Sequence, residues 1–310
     1  METFALYLIR SVSWLAGFAI VYFLFLRNER FFRLKRIYLL AGILAALFLP
    51  LITFHYQVVL LAPVEESMPG IPDAGDSAEA LMNAIPAEKR FDPLILIWIV
   101  YMAGILLLII KAVLNALKLV KIVKHTKPSP GINARVIRSE KFGGSFSFIR
   151  YIFINPSVRE REMDLIMDHE MVHVSQKHWF DLLLAVLLRI IQWFNPLAWI
   201  YPVFIRQNHE YIADETVLKR IPDPGVYKAV LINQMMDAKV FSLANSFSYS
   251  LNRLRFEMMK KSDVSPLRKM RLLIILPVFA IIFYAFRSPE YHYPEAPSPV
   301  METVSSVSMI

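Results

Sequence analysis

Residues 168–176 read Asp-His-Glu-Met-Val-His-Val-Ser-Gln and contain the pattern His169-Glu170-x-x-His173. On a helix, side chains four residues apart share a face, so both imidazoles can reach one metal ion while Glu170 lies beside them. Zinc lowers the pKa of a bound water, and a nearby carboxylate accepts its proton as it attacks a carbonyl. The pattern is typical of zinc hydrolases. A chance match occurs in on the order of one chain of this size in a hundred, so other features must support it.

The composition predicts an integral membrane protein. Of 310 residues, 56% are hydrophobic and only 19% are charged, whereas about a quarter are charged in soluble domains. The mean hydropathy is +0.45. The net charge of +8 comes from basic residues beside apolar runs, where they orient a protein in the lipid bilayer, so we expect no direct nucleic-acid partner. The chain has no cysteine, so a zinc site must use His, Glu or Asp.

Four apolar runs, 4–26, 37–61, 93–117 and 272–286, predict four transmembrane helices. Basic clusters flank them, and the positive-inside rule assigns those flanks to the cytoplasm. Residues 1–61 are predicted to form two transmembrane helices with a basic cytoplasmic loop, and residues 62–92 an acidic, Pro- and Gly-rich extracytoplasmic loop. The third helix, 93–117, leads into a cytoplasmic domain, 118–271. The fourth helix, 272–286, is followed by an extracytoplasmic tail, 287–310.

Within the cytoplasmic domain, residues 133–138 and 146–154 are rich in β-branched or aromatic residues and predict a small β-sheet. We expect a peptide substrate to lie extended along an edge strand within residues 146–154, because strand addition holds a peptide straight beside a cleft. The fold class is therefore a mainly α integral membrane protein with a cytoplasmic α+β domain. Candidates for stabilising the oxyanion are Tyr211, Tyr227 and His209.

A third metal ligand has to come from a second element, because catalytic zinc takes three protein ligands and a water. If the motif helix continued, Asp181 would lie about 12 Å beyond His173 and His178 about 7.5 Å beyond it, so both are poor candidates. Glu210 is the better one, with Asp214 one turn later to accept a hydrogen bond from a liganding histidine. Taken alone, such a Glu-x-x-x-Asp pair is more often a solvated acidic face.

The apolar stretch 179–205 separates the two halves of this site and is long enough to span a bilayer. A span there would leave His169 and Glu210 on opposite sides of the membrane. Arg189 and the Asn195-Pro196 pair instead predict two shorter helices joined by a break. We therefore expect a membrane-associated helical hairpin that returns to the same side.

These features together resemble the BlaR/MecR-type antirepressor membrane metallopeptidases, which are gluzincins with their active site at the cytoplasmic membrane face. The resemblance covers nearly the whole chain. The residues that carry it are His169-Glu170-Met171-Val172-His173, Asp181, Trp193-Phe194-Asn195-Pro196-Leu197, Glu210 and Ala213-Asp214-Glu215, together with the four-span layout.

The resemblance implies roles for these residues: His169, His173 and Glu210 bind Zn2+, Glu170 is general base and acid, and Asp214 and Asn195 lie behind the ligands. It also implies a bacterial cytoplasmic (inner) membrane location. The substrate would be a cytoplasmic transcriptional regulator, with self-cleavage in some members and a homodimer or a separate sensor protein as further partners.

One departure from the best-known members concerns the signal. Those carry a penicillin-binding-like sensor after the last span, whereas residues 287–310 contain no Ser-x-x-Lys motif. The signal would then arrive through another protein, through the loop 62–92, or through a further domain. Two alternatives stay open: a quality-control protease of the Ste24/HtpX type, and a catalytically silent membrane receptor or scaffold.

Overall fold

The computed structural model describes residues 2–53, 55–59, 93–125, 129–130, 134–138, 144–156, 158–237, 253–261 and 266–292. The chain divides into two compact units. The first comprises residues 1–52 and 94–282, and the second comprises residues 53–93 and 283–310. The predicted loop 62–92 lies outside the described residues.

Three helices within the described ranges are long and apolar enough to cross a membrane, at Thr3–Leu26, Phe32–Leu51 and Ile95–His125. The α-helices in these regions are α1 (Glu2–Val21), which continues into a π-helical turn, α2 (Phe32–Phe48) and α3 (Pro93–His125). The third is the most apolar and is hardly buried within the protein, as expected of a helix that faces lipid.

The second predicted span needs correction at both ends. Helix α2 begins at Phe32 and ends at Phe48, and it is followed by a short 3-10 turn, Leu49–Leu51. Pro50 lies in that turn, and its missing N–H and its restriction on the preceding residue end the α-helix. Strand β1 (His55–Val59) follows, so the span does not continue to residue 61.

The predicted small sheet is present in the first unit, although one predicted strand is a hairpin. Its strands are β2 (Ser129–Pro130), β3 (Arg135–Arg138), β4 (Phe146–Phe148) and β5 (Tyr151–Ile154), in the order β2-β3-β5-β4. Strands β3 and β5 are parallel, and β4 is antiparallel to β5. Ile149 has φ 56° in the turn between β4 and β5, which leaves β4 at an edge of the sheet.

The helix that carries the metal motif packs against this sheet. Helix α4 (Glu160–Ser175) has apolar side chains at intervals of three or four residues on one face. These are Met163, Met167, Met171 and Val174, which pack against Ile152 and Ile154 of β5. Because the histidines of the motif follow a different helical row, this packing leaves them on another face of α4.

The apolar stretch 179–205 belongs to a helical hairpin within the first unit. Its helices are α5 (His178–Ile191) and α6 (Pro196–Leu218), and they pack against each other. The break lies at the predicted place: Oδ1 of Asn195 accepts a hydrogen bond of 3.0 Å from the Leu197 N–H, and Pro196 begins α6. The hairpin brings α6 back beside α4, where Val172 joins Tyr211 and Ile212 in a buried apolar cluster.

Further helices described in the first unit are α7 (Pro224–Asp237) and α8 (residues 253–260), and α9 (Ile275–Ala285) belongs to this unit as far as Ile282. A 3-10 helix, Pro266–Ile274, precedes α9. The fourth predicted span, 272–286, thus holds only 11 residues of α-helix, fewer than the about 20 that a spanning α-helix needs. Four spans therefore remain a prediction.

The second unit contains a two-stranded parallel sheet in its described part. Strand β1 pairs with β6 (Ser288–His292), and His55 lies opposite Ser288. The guanidinium of Arg287 lies over the rings of Tyr56 and Tyr284, at 4.6 and 4.0 Å from their centroids. These cation–π contacts hold the two chain segments together.

Candidate metal centre

Three predicted ligands converge between α4 and α6. Potential ligand atoms of His169, His173 and Glu210 all lie within 4.8 Å of one another. The Nε2 atoms of the two histidines are 3.2 Å apart. The Glu210 carboxylate lies 3.3 Å from Nε2 of His169 and 3.6 Å from Nε2 of His173. Two imidazoles and a carboxylate facing one point form a donor set that suits zinc.

Glu170 lies next to this group and is buried. Burial raises the pKa of its carboxyl group, and this effect outweighs the neighbouring His169 and a hydrogen bond from Ser147, which both favour the ionised form. Ser147 belongs to the edge strand β4. The carboxylate therefore lies between the ligand group and the strand at which a substrate is expected.

On one side of the site, His169 is held by a hydrogen-bonded chain. The Tyr227 hydroxyl donates to Oδ1 of Asp214 at 2.8 Å, and the same hydroxyl lies 2.7 Å from Nδ1 of His169. Because its only proton goes to Asp214, the hydroxyl oxygen accepts a hydrogen bond from the Nδ1–H of His169. This tautomer leaves Nε2 of His169 free to bind a metal.

Arg255 of α8 connects these hydrogen bonds to the third predicted ligand, Glu210. It donates to both carboxylate oxygens of Asp214, at 2.9 and 2.6 Å, and its Nη1 lies 3.0 Å from Oε2 of Glu210. Desolvation disfavours the ionised Glu210, but the Arg255 charge and the neighbouring imidazoles of His169 and His173 outweigh it and hold the pKa well below its usual range. Glu210 is therefore a carboxylate at neutral pH.

On the other side, His173 is held by a second histidine. Its Nδ1 lies 2.8 Å from Nδ1 of His178. Burial lowers the pKa of His173 to about 3, so the ring is neutral near pH 7, the form that binds a metal. With Nε2 facing the other ligands, the Nδ1–H of His173 donates to His178.

His178 is in turn fixed by a buried ion-pair network. Its ring stacks on that of His209, with 3.9 Å between centroids, and His209 Nε2 lies 2.6 Å from Oδ2 of Asp181. Arg36 of α2 donates to the same carboxylate at 2.7 and 3.0 Å, and to the Gln176 carbonyl at 2.8 Å. The orientation of His173 therefore depends on a side chain from a candidate membrane helix.

This network corrects the expected positions of His178 and Asp181. The expectation assumed that the motif helix continues past residue 176, but α4 ends at Ser175. Lys177 adopts a left-handed conformation with φ 53°, and α5 begins at His178. The turn brings both residues back towards the site, although neither belongs to the ligand group.

The expected place of Asn195 behind the ligands is also corrected. Its side chain caps α6 and donates to Oε1 of Gln192 at 2.6 Å. Asn195 lies 15 positions before Glu210 on α6, which corresponds to about 22 Å along a helix axis. The residue stabilises the turn of the hairpin and does not contact the ligand group.

Sequence reasoning missed Arg36 and Arg255 as residues of this site. Arg36 ends a run of basic residues whose charge is a topology signal, and Arg255 follows Asp214 by 41 positions without a spacing pattern. Tyr227 was a candidate for oxyanion stabilisation, whereas its hydroxyl lies between His169 and Asp214. Only the fold brings these side chains to the ligands.

A cavity of about 810 Å³ opens beside the ligand group. Its walls come from α3, β4, the hairpin and the ligand residues themselves. The cavity reaches from Glu170 and Glu210 to Ile190 near the end of α5 and to Leu108 in α3. The site is therefore accessible to a molecule much larger than water.

The region that contains most of these residues matches a known peptidase family. Residues 151–249 match the family described as BlaR1 peptidase M56. The match confirms the resemblance predicted from the sequence. It includes the motif, the hairpin and Glu210 but neither Arg36 nor Arg255. No curated protein matches the chain.

Proposed function

We propose that this chain, similar over residues 151–249 to the BlaR1 peptidases, is a zinc-dependent membrane endopeptidase that acts in transmembrane signalling. The observation that carries the proposal is the convergence of His169, His173 and Glu210 within 4.8 Å, with Glu170 buried beside them. A two-histidine, one-carboxylate set with an adjacent carboxylate suits metal-assisted hydrolysis better than a structural metal site.

The side chains present fit a zinc ion. His169, His173 and Glu210 would hold it, and hydrogen bonds at the far nitrogens of both histidines favour the tautomers that ligation requires. When bound, zinc would act as a Lewis acid and lower the pKa of a water molecule. Asp214, with Tyr227 and Arg255, would keep His169 and Glu210 in place.

Glu170 would move the proton in this reaction. A carboxylate beside the ligand group can accept a proton from the attacking water and donate it to the leaving amine. Its raised pKa suits this exchange, because a stronger base takes the proton more readily. Arg255 lines the cavity next to Glu210 and adds positive charge where the carbonyl oxygen becomes negative.

The peptide substrate would pair with the edge strand β4. Residues 145–149 line the cavity on the side of Glu170, and β4 has a partner strand on one side only within the described sheet. Backbone hydrogen bonds to a free edge hold a peptide extended and are largely independent of its sequence. This arrangement would present a scissile carbonyl to Glu170.

The cellular role follows from topology and resemblance. Three apolar helices and basic residues at their flanks support a bacterial cytoplasmic membrane location with the site on the cytoplasmic side. The resemblance supports a repressor-like transcriptional regulator as substrate, self-cleavage, and either a homodimer or a separate sensor protein. An apolar hairpin that returns to one side supports a single cytoplasmic site.

The test compares cells that carry the native protein with cells that carry Glu170→Gln. The variant should keep bound zinc, measured on the purified full chain, and should lose cleavage by about 100-fold or more. Cytoplasmic and membrane proteomes of the two strains would identify the substrate. Glu215→Gln is the matched control, because Glu215 pairs with the exposed Lys219. Undiminished proteolysis by Glu170→Gln would reject the mechanism.

A further inference from the structure

The turn of the α5–α6 hairpin lies among the three candidate membrane helices. Gln192 donates to the hydroxyl of Ser11 in α1 at 2.6 Å. Tyr101 of α3 donates to the carbonyl of Ile191 at 3.0 Å, and the Trp193 indole donates to the carbonyl of Tyr101 at 3.2 Å. The turn is therefore anchored to the walls of the helix bundle.

These contacts define how deep the hairpin reaches. Along the first span, Ser11 lies about 12 Å from Thr3, where that span begins. Along the third span, Tyr101 lies about 9 Å from Ile95, where that span begins. At the other end of the hairpin, Asp181 contacts Arg36. Arg36 lies about 6 Å along the second span from Phe32, which is the end of that span away from the hairpin turn. If these spans begin at the membrane surface and the hydrocarbon layer is about 30 Å thick, the turn would lie beyond the bilayer midplane.

The cavity beside the ligand group extends along this hairpin. Helix α3 meets the hairpin at Tyr101 and at Gly104, where a Cβ atom would overlap the Trp193 indole. Further along, α3 forms one wall of the cavity and α5 forms the other. The apolar side chains on these walls include Leu108, Ala112, Leu119, Leu182, Val186 and Ile190.

Three cations interrupt these apolar walls: Lys111, Arg189 and Arg206. Arg189 lies over the Trp199 ring, 5.0 Å from its centroid. Within the described ranges, none of the three forms an ion pair with a carboxylate. A cation that has no carboxylate partner beside apolar walls attracts an acidic group, so an occupant that is apolar and carries an acidic group would complement the cavity.

We propose that this cavity receives an apolar, membrane-inserted segment of the protein substrate that carries an acidic side chain. The inference rests on the proposed peptidase function and narrows its substrate to a regulator that has a membrane anchor next to its cytoplasmic cleavage site. A substrate segment is favoured over a lipid because the cavity is continuous with Glu170 and with edge strand β4. The segment would bind between α3 and α5 while the adjoining extended residues reach β4.

Cysteine cross-linking tests the proposal directly, because the native chain has no cysteine. Full-length Glu170→Gln protein in lipid nanodiscs would carry one cysteine, at Val186 inside the cavity or at Leu187, which is exposed and outside it. The probe is a 20-residue Leu/Ala peptide with one Glu and one Cys. Val186→Cys should form the disulfide about tenfold more than Leu187→Cys. A Glu-to-Gln change in the peptide should lower the yield several-fold.

A second cysteine pair on the opposite wall guards against a local folding defect. Ala112→Cys lines the cavity from α3, whereas Val113→Cys faces away from it. Equal cross-linking within both pairs would overturn the proposal. So would a diazirine-labelled phosphatidylglycerol that labels the cavity and is not displaced by the peptide. Cross-linking does not require catalysis, because the variant is inactive. It can therefore succeed even if the native protein is not a peptidase, so a failure of this proposal can be distinguished from a failure of the proposed function.

Discussion

Replacing Asp181 with asparagine should weaken metal binding although Asp181 is not one of the proposed ligands. The carboxylate is 1% exposed and accepts hydrogen bonds from His209 and from two nitrogens of Arg36, at 2.6, 2.7 and 3.0 Å. His209 stacks on His178, which accepts from the far nitrogen of His173. A change at Asp181 is therefore transmitted to His173 through two imidazole rings.

The size of the effect follows from the hydrogen bonds that an amide cannot make. The side-chain nitrogen of asparagine is a donor, so Asp181→Asn opposes a donor with a donor and loses at least one charge-assisted contact. Such a contact contributes about 1.5–3 kcal/mol. If this free energy is what keeps His173 oriented, its loss lowers the zinc affinity by about 10- to 100-fold. Asp181→Ala is less informative, because leaving Arg36 without its partner would also destabilise the fold.

The assay is competition for zinc between the purified full chain and a chromophoric chelator. Asp181→Asn should lose peptidase activity at limiting zinc and recover it when zinc is in excess, with little change in KM. Glu215→Gln, which alters an ion pair with the exposed Lys219, should bind zinc like the native protein. Zinc affinity within about twofold of native in Asp181→Asn, with unchanged thermal unfolding, would refute the idea that Asp181 orients His173.

Three other changes have defined outcomes. In a pH profile of kcat/KM, the acid limb should titrate above the ordinary carboxyl value of 4.5, because burial raises the pKa of Glu170 and only its ionised form accepts a proton. Ser147→Ala should move that limb to still higher pH. The substitution removes a hydrogen bond that favours the ionised form of Glu170. Gly42→Val should lower stability by about 1–3 kcal/mol, seen as a lower Tm in detergent, because a Cβ there overlaps the Tyr201 hydroxyl. Asn195→Ala should cost about 1 kcal/mol in the same melt without altering zinc affinity.

The parts of the site that could be predicted depend on local spacing. His169 and His173 are four residues apart on one helix, and Glu210 and Asp214 repeat that spacing on another. The break in the hairpin was also predictable, because Asn195-Pro196 combines a preferred cap with a residue favoured at the first helical position. The sheet followed from β-branched and aromatic content, but its split into β4 and β5 depends on the backbone of Ile149.

The contacts that orient His173 could not be predicted, because they depend on one backbone angle and one distant side chain. A left-handed Lys177 reverses the direction of the chain just after the motif, and lysine is not a residue that indicates this conformation. Arg36 then reaches Asp181 across 145 positions of sequence, while its charge alone fits the positive-inside pattern equally well. His173 is thereby coupled to helix α2, whereas His169 is coupled to α7 and α8 through Tyr227 and Arg255. The two motif histidines therefore depend on different parts of the fold, and a displacement of α2 relative to α5 should affect His173 first.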